Sequence, residues 1–275
     1  MHLLRNAFVM FTAVTPIASC LDDADAPDTS ETEQDLTSLG LWSWGQLDGH
    51  LNMGSAANQT CFLRGIHGSL AGVGPGNTIS EAGAVISIQN GNWDLYTFHG
   101  SGPGVSGQAT CIPNTANRVF LTTHFGTATI PATANRQCFL TSVRSYGNSW
   151  SEHLHNGGLP GASLTIENGN WVFRQTTRDD DNPDGVIYGG HEEAVCVDVP
   201  ITGLYGWQYQ AGSTKLVETV VPAPSNGWGC GLTGLHGVFL DTWDKPGAEA
   251  AWDSASNSWK LTLAPFKEAE VRCIY

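Results

Sequence analysis

The chain has 275 residues, of which 26 are acidic and 12 are lysine or arginine, so its net charge at neutral pH is -14. A protein this acidic does not neutralise phosphates, which argues against nucleic acid as a partner. A hydrophobic content of 41%, with 10 tryptophans, is enough to bury a core and excludes a chain that is disordered throughout. The 33 glycines and the scarcity of lysine favour strands and turns over helices.

The first 19 residues have the features of an export signal. Arg5 precedes an apolar stretch, residues 7–14, that is too short to span a bilayer. The signal ends in Ile17-Ala18-Ser19, and with Cys20 these residues resemble the bacterial lipobox. The lipobox cysteine is lipidated and starts the mature protein. We therefore predict a lipoprotein signal peptide over residues 1–19, with lipid on Cys20. The alternative is an ordinary secretory signal, and either one exports the chain.

Residues 20–35 are predicted to form a flexible tether. They include seven acidic residues and no basic ones, so they carry half of the net negative charge of the chain. Self-repulsion keeps such a segment extended. Behind a lipid anchor it would hold a folded domain away from the membrane, and the alternative is a plain disordered N-terminus.

Six further cysteines mark a threefold repeat. The segments that begin at Cys61, Cys138 and Cys230 resemble one another, and a tryptophan follows each of these cysteines after 32, 33 and 29 residues. Concordant spacings of this kind indicate an internal repeat, and an even number of cysteines in an exported chain indicates disulfides. The simplest pairing joins the first and last cysteine of each copy, which gives Cys61–Cys111, Cys138–Cys196 and Cys230–Cys273.

Each copy has the pattern of antiparallel strands. Asn90-Gly91 and Asn168-Gly169 are strong hairpin-turn signals between runs of β-branched and aromatic residues. The recurring Trp93, Trp171 and Trp259 are predicted to lie in the core. We predict an all-β fold of three disulfide-closed repeats, over residues 36–117, 118–202 and 203–275. The copies are either separate beads or packed with pseudo-threefold symmetry like a β-prism, and the short joins between them favour close packing.

The repeat, Cys-Phe-Leu-Thr-x-Val, then a hairpin with Trp-x-Leu, then a closing Cys, resembles a repeat of exported bacterial lipoproteins. It covers residues 61–111, 138–196 and 230–273, although Gly231 stands where the other copies have Phe62 and Phe139. The resemblance implies a β-repeat protein displayed at the cell surface and implies no catalytic residues.

One segment predicts a cation site. Asp180, Asn182 and Asp184, followed by Gly185, match the start of a calcium loop, in which alternate oxygens face one centre. The twelfth position is a histidine, and Glu192 lies just beyond it, so the match is partial. The alternative is a solvated acidic loop, and calcium is a candidate ligand but no cofactor is required.

Two further sets of residues are candidates for ligand binding. His67, Arg144 and His236 occupy the same position in the three copies, where they could form equivalent sites, line a shared axis or cap a turn. Trp150, Trp228 and Trp243 lie outside the repeat pattern and are candidates for exposed stacking on sugars. The motifs of serine hydrolases, zinc proteases and phosphate-binding loops are absent from the sequence.

These features predict a non-catalytic binding protein that is lipid-anchored to the bacterial envelope or secreted. Its predicted partner is an extracellular carbohydrate or a surface protein, as in adhesion by lectins, and it meets the membrane only through the N-terminal lipid. The alternatives are a structural envelope or matrix module without a specific ligand, and a secreted hydrolase. The sequence does not fix the oligomeric state.

Overall fold

The computed structural model describes residues 40–45, 50–70, 81–99, 104–113, 116–123, 126–146, 161–175, 192–199, 204–211, 214, 216–222, 229–237, 239, 246–265 and 267–274. The regular elements in this part of the chain are all β-strands, which confirms the predicted all-β class. Among these residues there is no helix that is long and apolar enough to cross a membrane.

Each repeat contributes six strands. The first repeat has β1 (Gly40–Gly45), β2 (His50–Ser55), β3 (Gln59–Gly68), β4 (Glu81–Gln89), β5 (Asn92–His99) and β6 (Val105–Pro113). The second has β7 (Ala116–Thr123), β8 (Thr127–Pro131), β9 (Arg136–Tyr146), β10 (Gly161–Glu167), β11 (Asn170–Gln175) and β12 (Glu192–Asp198). The third has β13 (Leu204–Gln210), β14 (Leu216–Pro222), β15 (Gly229–Gly237), β16 (Pro246–Asp253), β17 (Ser258–Leu263) and β18 (Lys267–Ile274).

Every sheet is shared between two repeats. The three sheets have the orders β1-β6-β3-β16-β17-β14, β13-β18-β15-β10-β11-β8 and β2-β5-β4-β9-β12-β7. In each sheet the first, sixth and third strands of one repeat continue into the fourth, fifth and second strands of another. The repeats are therefore not separate beads, because each one supplies half of two sheets. A prism-like arrangement of the sheets stays a prediction.

The structure contains the three disulfides that the repeat predicted: Cys61–Cys111, Cys138–Cys196 and Cys230–Cys273. Each joins two residues that lie directly opposite one another on the third and sixth strands of a repeat. The cystines belong to the same buried hydrophobic cluster as the repeat tryptophans Trp93, Trp171 and Trp259, all of which are 0% exposed. Their predicted place in the core is confirmed.

The hairpins between the fourth and fifth strands turn as the sequence predicted. Asn90, Asn168 and Asn257 each have a positive φ, between 48° and 51°. Asparagine tolerates this left-handed conformation better than most residues, and glycine follows it in the first two turns. The turns return the chain so that the buried tryptophan lies on the fifth strand.

A bulge recurs in the third strand of each repeat. The pairing of β3, β9 and β15 with the sixth strand of the same repeat skips one residue, which is Arg64, Thr141 or Thr233. Side chains alternate between the two faces of a strand, and one extra residue shifts this alternation by one position. Two residues on either side of the bulge that are an odd number of positions apart therefore lie on the same face. His67 therefore lies on the same face of its sheet as Phe62, and Arg144 on the same face as Phe139.

The departure of the third repeat at Gly231 has a packing cause. Phe62 and Phe139 stack with their ring centroids 4.0 Å apart, and both are fully buried. A Cβ atom on Gly231 would lie 2.4 Å from Cδ2 of Phe62 and 2.7 Å from Cδ1 of Phe139. The space where the three repeats meet therefore holds two rings and has no room for a third.

Candidate functional site

Several predicted site residues lie outside the described residues. These are the signal peptide and tether with Cys20, the acidic-loop residues Asp180, Asn182 and Asp184, and the tryptophans Trp150, Trp228 and Trp243. The structure places the remaining acidic-loop candidate, Glu192, on β12, where it is 0% exposed. Within the described segments, no three His, Cys, Asp or Glu side chains are grouped so that they could hold a metal ion.

His67, Arg144 and His236 lie at equivalent places, where the third strand of one repeat pairs with the fourth strand of another. They lie opposite Pro246, Gly83 and Gly161, respectively. All three lie within strands. We call their surroundings the first, second and third junction clusters.

The first junction cluster is an ion network. Glu249 accepts from Arg64 Nη1 at 2.6 Å and lies 3.0 Å from His67 Nε2, all on side chains that are at most 20% exposed. Burial would raise the pKa of Glu249, but the hydrogen bond with His67 and the charge of Arg64 lower it to about 2. The cluster joins the first repeat to the third and leaves the carboxylate fully engaged.

The second junction cluster has more negative than positive charge. Arg144 Nη1 donates to Glu81 at 2.9 Å, and its Nη2 lies 3.4 Å from Glu193. Gly83 lies opposite Arg144 on the neighbouring strand β4, and a Cβ atom there would lie 2.7 Å from Arg144 Cα. Two carboxylates therefore share one guanidinium, and both are more than a quarter exposed (31% for Glu81 and 27% for Glu193).

The third junction cluster differs from the other two. His236 lies opposite Glu268 in the register, and Glu270 follows on the same strand. Burial raises the pKa of Glu270, while it lowers the pKa of Arg272, whose guanidinium lies 4.6 Å from the centre of the Trp171 ring. The three clusters thus share a place in the fold but have different chemistry, so they do not form three equivalent ligand sites.

A row of aromatic side chains lies on the same sheet as the second junction cluster. It consists of His50 on β2 and of Tyr96 and Phe98 on β5. The rings of His50 and Tyr96 are stacked, with centroids 4.9 Å apart, and Phe98 meets Tyr96 edge to face at 5.3 Å. His50 is exposed and the other two are partly buried. We call these three residues the aromatic row.

The alternation of β5 explains why the row lies on the face opposite the tryptophan core. Trp93, Leu95 and Thr97 are at most 1% exposed and point into the core. The intervening Asp94, Tyr96 and Phe98 therefore point to the opposite face. This alternation is visible in the sequence, and it is the signal that could have located Tyr96 and Phe98.

The aromatic row continues into the second junction cluster across one face. Tyr96 lies opposite His50 on one side and Val85 on the other, and Val85 lies opposite Ser142. In the next row, Phe98 lies opposite Gly83, which in turn lies opposite Arg144. Arg144, which the sequence predicted as a site residue, therefore shares a face with aromatic residues that the sequence analysis missed.

Asp94 adds an unpaired carboxylate beside the row. It is partly buried and lies opposite Asn52 on β2 and Ser87 on β4. The side-chain Oδ1 of Asn52 accepts from Gly54 N at 2.8 Å, and Ser87 Oγ accepts from Gln89 Nε2 at 3.0 Å. Asp94 itself has no hydrogen bond or ion pair with any residue that the structure describes.

The row is confined to the first repeat. Counting from the buried tryptophan, the positions of Asp94 and Tyr96 are taken by Val172 and Arg174 in the second repeat. In the third repeat they are taken by Lys260 and Thr262. The aromatic row is thus a single feature on a threefold framework.

No protein-family model matches the chain, and no curated protein is similar to it in sequence. Its function is therefore inferred from the chemistry of these surfaces.

Proposed function

We propose that the protein is an exported, non-catalytic binding protein that recognises carbohydrate through the aromatic row. The observation that carries the proposal is the placement of His50, Tyr96 and Phe98 together on the face of a sheet opposite the tryptophan core, with His50 exposed and the other two partly exposed. Partly exposed aromatic residues are costly for solubility and are concentrated at binding surfaces.

The chemistry of the face suits a sugar. The face of an aromatic ring is electron-rich and packs against the C–H groups on one side of a pyranose, while polar groups beside it bind the hydroxyls. Asp94 and Asn52 are such groups, and the phenol of Tyr96 adds another donor. Since strand side chains two residues apart are about 7 Å apart, Tyr96 and Phe98 can meet successive parts of one glycan chain.

The three disulfides are compatible with an extracellular location. We propose that the chain is held at the cell surface by lipid on Cys20 and the acidic tether, or is secreted if Cys20 is not lipidated. A structural envelope module is the second candidate function. It is favoured by the internal pairing of Arg64, His67 and Glu249, which leaves the first junction cluster without spare groups for a ligand.

The test is a glycan array probed with the exported full-length protein, with its disulfides intact, followed by calorimetry on the best ligand. Tyr96→Ala is expected to weaken binding at least about tenfold, because a stacking ring is lost. Thr262→Ala is the matched control, since it changes the same strand position in the third repeat, and it is expected to bind as the unaltered protein does. Folded protein without saturable binding to any glycan would reject the proposal in favour of a structural module.

A further inference from the structure

We infer that the glycan bound by the aromatic row carries an ammonium group, and that the carboxylate of Asp94 binds this group. The inference rests on the proposed carbohydrate function and adds to it the charge of the ligand and the residue that selects it.

The first support is the state of Asp94. Most of the other acidic side chains near the sheet junctions already have a cationic partner: Glu249 with Arg64, and Glu81 and Glu193 with Arg144. Asp94 is partly buried beside aromatic rings and has no such partner among the residues that the structure describes. Partial burial of an unpaired carboxylate is unfavourable, and a cation supplied by a ligand would relieve that cost.

The second support is the geometry of the face. Asp94 and Tyr96 are two residues apart on β5 and point to the same side. Their spacing of about 7 Å along the strand matches a sugar ring on Tyr96 with an amino substituent at its edge. The ring also attracts the ammonium directly, since a cation near an aromatic face is stabilised by the quadrupole of the ring.

The third support is the balance of charge. On this face the described residues around the row include the carboxylates of Asp94, Glu81 and Glu193 and one guanidinium, that of Arg144. The excess of negative charge attracts a cationic glycan and repels one that carries uronate, sulfate or phosphate. At the position of Asp94 the third repeat has Lys260, which has the opposite charge.

Two glycans with the same sugar rings, one with free amines and one with neutral N-acetyl groups, provide the test. Glucosamine hexamer carries free amines, and N-acetylglucosamine hexamer has the same rings without the charge. At pH 5.5 and low salt, where the amines are protonated, the exported full-length protein is expected to bind the glucosamine hexamer about fivefold more tightly, which is about 1 kcal/mol. In the Asp94→Asn protein the two affinities should become equal. Asp253→Asn, which removes an acidic group from the third repeat, should keep the preference.

Each other result has a definite meaning. Equal affinity of the unaltered protein for both hexamers, or binding only of other glycans, would overturn the ammonium inference and leave the carbohydrate function standing. A preference that survives Asp94→Asn would assign the ammonium to another carboxylate and overturn the role of Asp94. Absence of binding to any glycan would overturn both proposals.

Discussion

The substitution Gly231→Phe would make the third repeat resemble the first two, but we expect it to destabilise the protein. Phe62 and Phe139 occupy the corresponding positions of the other repeats, and their rings are stacked at 4.0 Å in fully buried surroundings. The prediction follows from the limited space between the three repeats.

The size of the effect follows from the contacts. Even the single Cβ atom of Gly231→Ala would lie 2.4 Å from one ring and 2.7 Å from the other, far inside normal contact distance. Overpacking of this kind costs about 1–3 kcal/mol, and in a protein of this size each kcal/mol lowers the melting temperature by roughly 2–4 °C. Gly231→Phe, which adds a whole ring, should cost more than Gly231→Ala.

The assay is thermal and denaturant unfolding of the oxidised protein. Gly206→Ala is the control, since the nearest atom to its new Cβ would be 3.3 Å away on the flexible side chain of Arg272. It should change stability by less than about 0.5 kcal/mol. Phe62→Ala should by itself cost about 3–5 kcal/mol through the cavity it leaves. Combined with Gly231→Phe, it should cost at least about 1 kcal/mol less than the sum of the two single changes, because one ring takes the space of the other.

Two results would refute this reasoning. If Gly231→Phe melts at the temperature of the unaltered protein, the space between the repeats is larger than the contacts show. If the double variant is as unstable as the sum of its single changes, the two positions do not share one space.

Two further predictions concern charge and backbone. Because the pKa of Glu249 is lowered to about 2 from 4.5, its ion pairs stabilise the folded state fully above about pH 4.5, and this stability is lost as the pH falls towards 2. Glu249→Gln should cost about 3 kcal/mol at pH 7 and remove that part of the acid sensitivity, as measured by urea unfolding at several pH values. A variant with an unchanged pH profile would contradict this expectation. Asn168, with φ of 48°, should tolerate Gly but lose about 1 kcal/mol when changed to Ala, and equal melting temperatures for the two variants would show that the turn is not strained by a Cβ.

The cysteine and tryptophan spacings were enough to predict the repeats, the disulfides and the core. A position that recurs at constant spacing, such as Cys61 or Trp93, is set by local geometry within one repeat, and alternation along a strand determines which side of the sheet it faces. Sharing of the sheets could not be predicted in the same way. Which strand lies next to β3 depends on a pairing with β16, nearly 180 residues away, and no local pattern records such a choice.

The candidate site was predicted only in part, for a related reason. The sequence indicated that His67, Arg144 and His236 are equivalent, but not which carboxylates they meet, since Glu249 beside His67 and Glu81 beside Arg144 come from strands of other repeats. The aromatic row depends on β2 and β5 being neighbours. The alternation on β5 alone could have placed Tyr96 and Phe98 on the face opposite Trp93, whereas the position of His50 required the structure.

The contrast between repeated and single features bears on function. Residues that all three copies share, such as the cystines and the repeat tryptophans, are buried and are accounted for by the stability of the fold. Positions at which one copy differs from the other two need an explanation other than the stability of a single repeat. At Gly231 that cause is the shared space at the centre, which cannot hold three rings. Asp94 and Tyr96 lie on the face of β5 opposite the tryptophan core and are partly exposed. On the proposed function, a ligand accounts for their chemistry, and binding is expected to map to one repeat of the three.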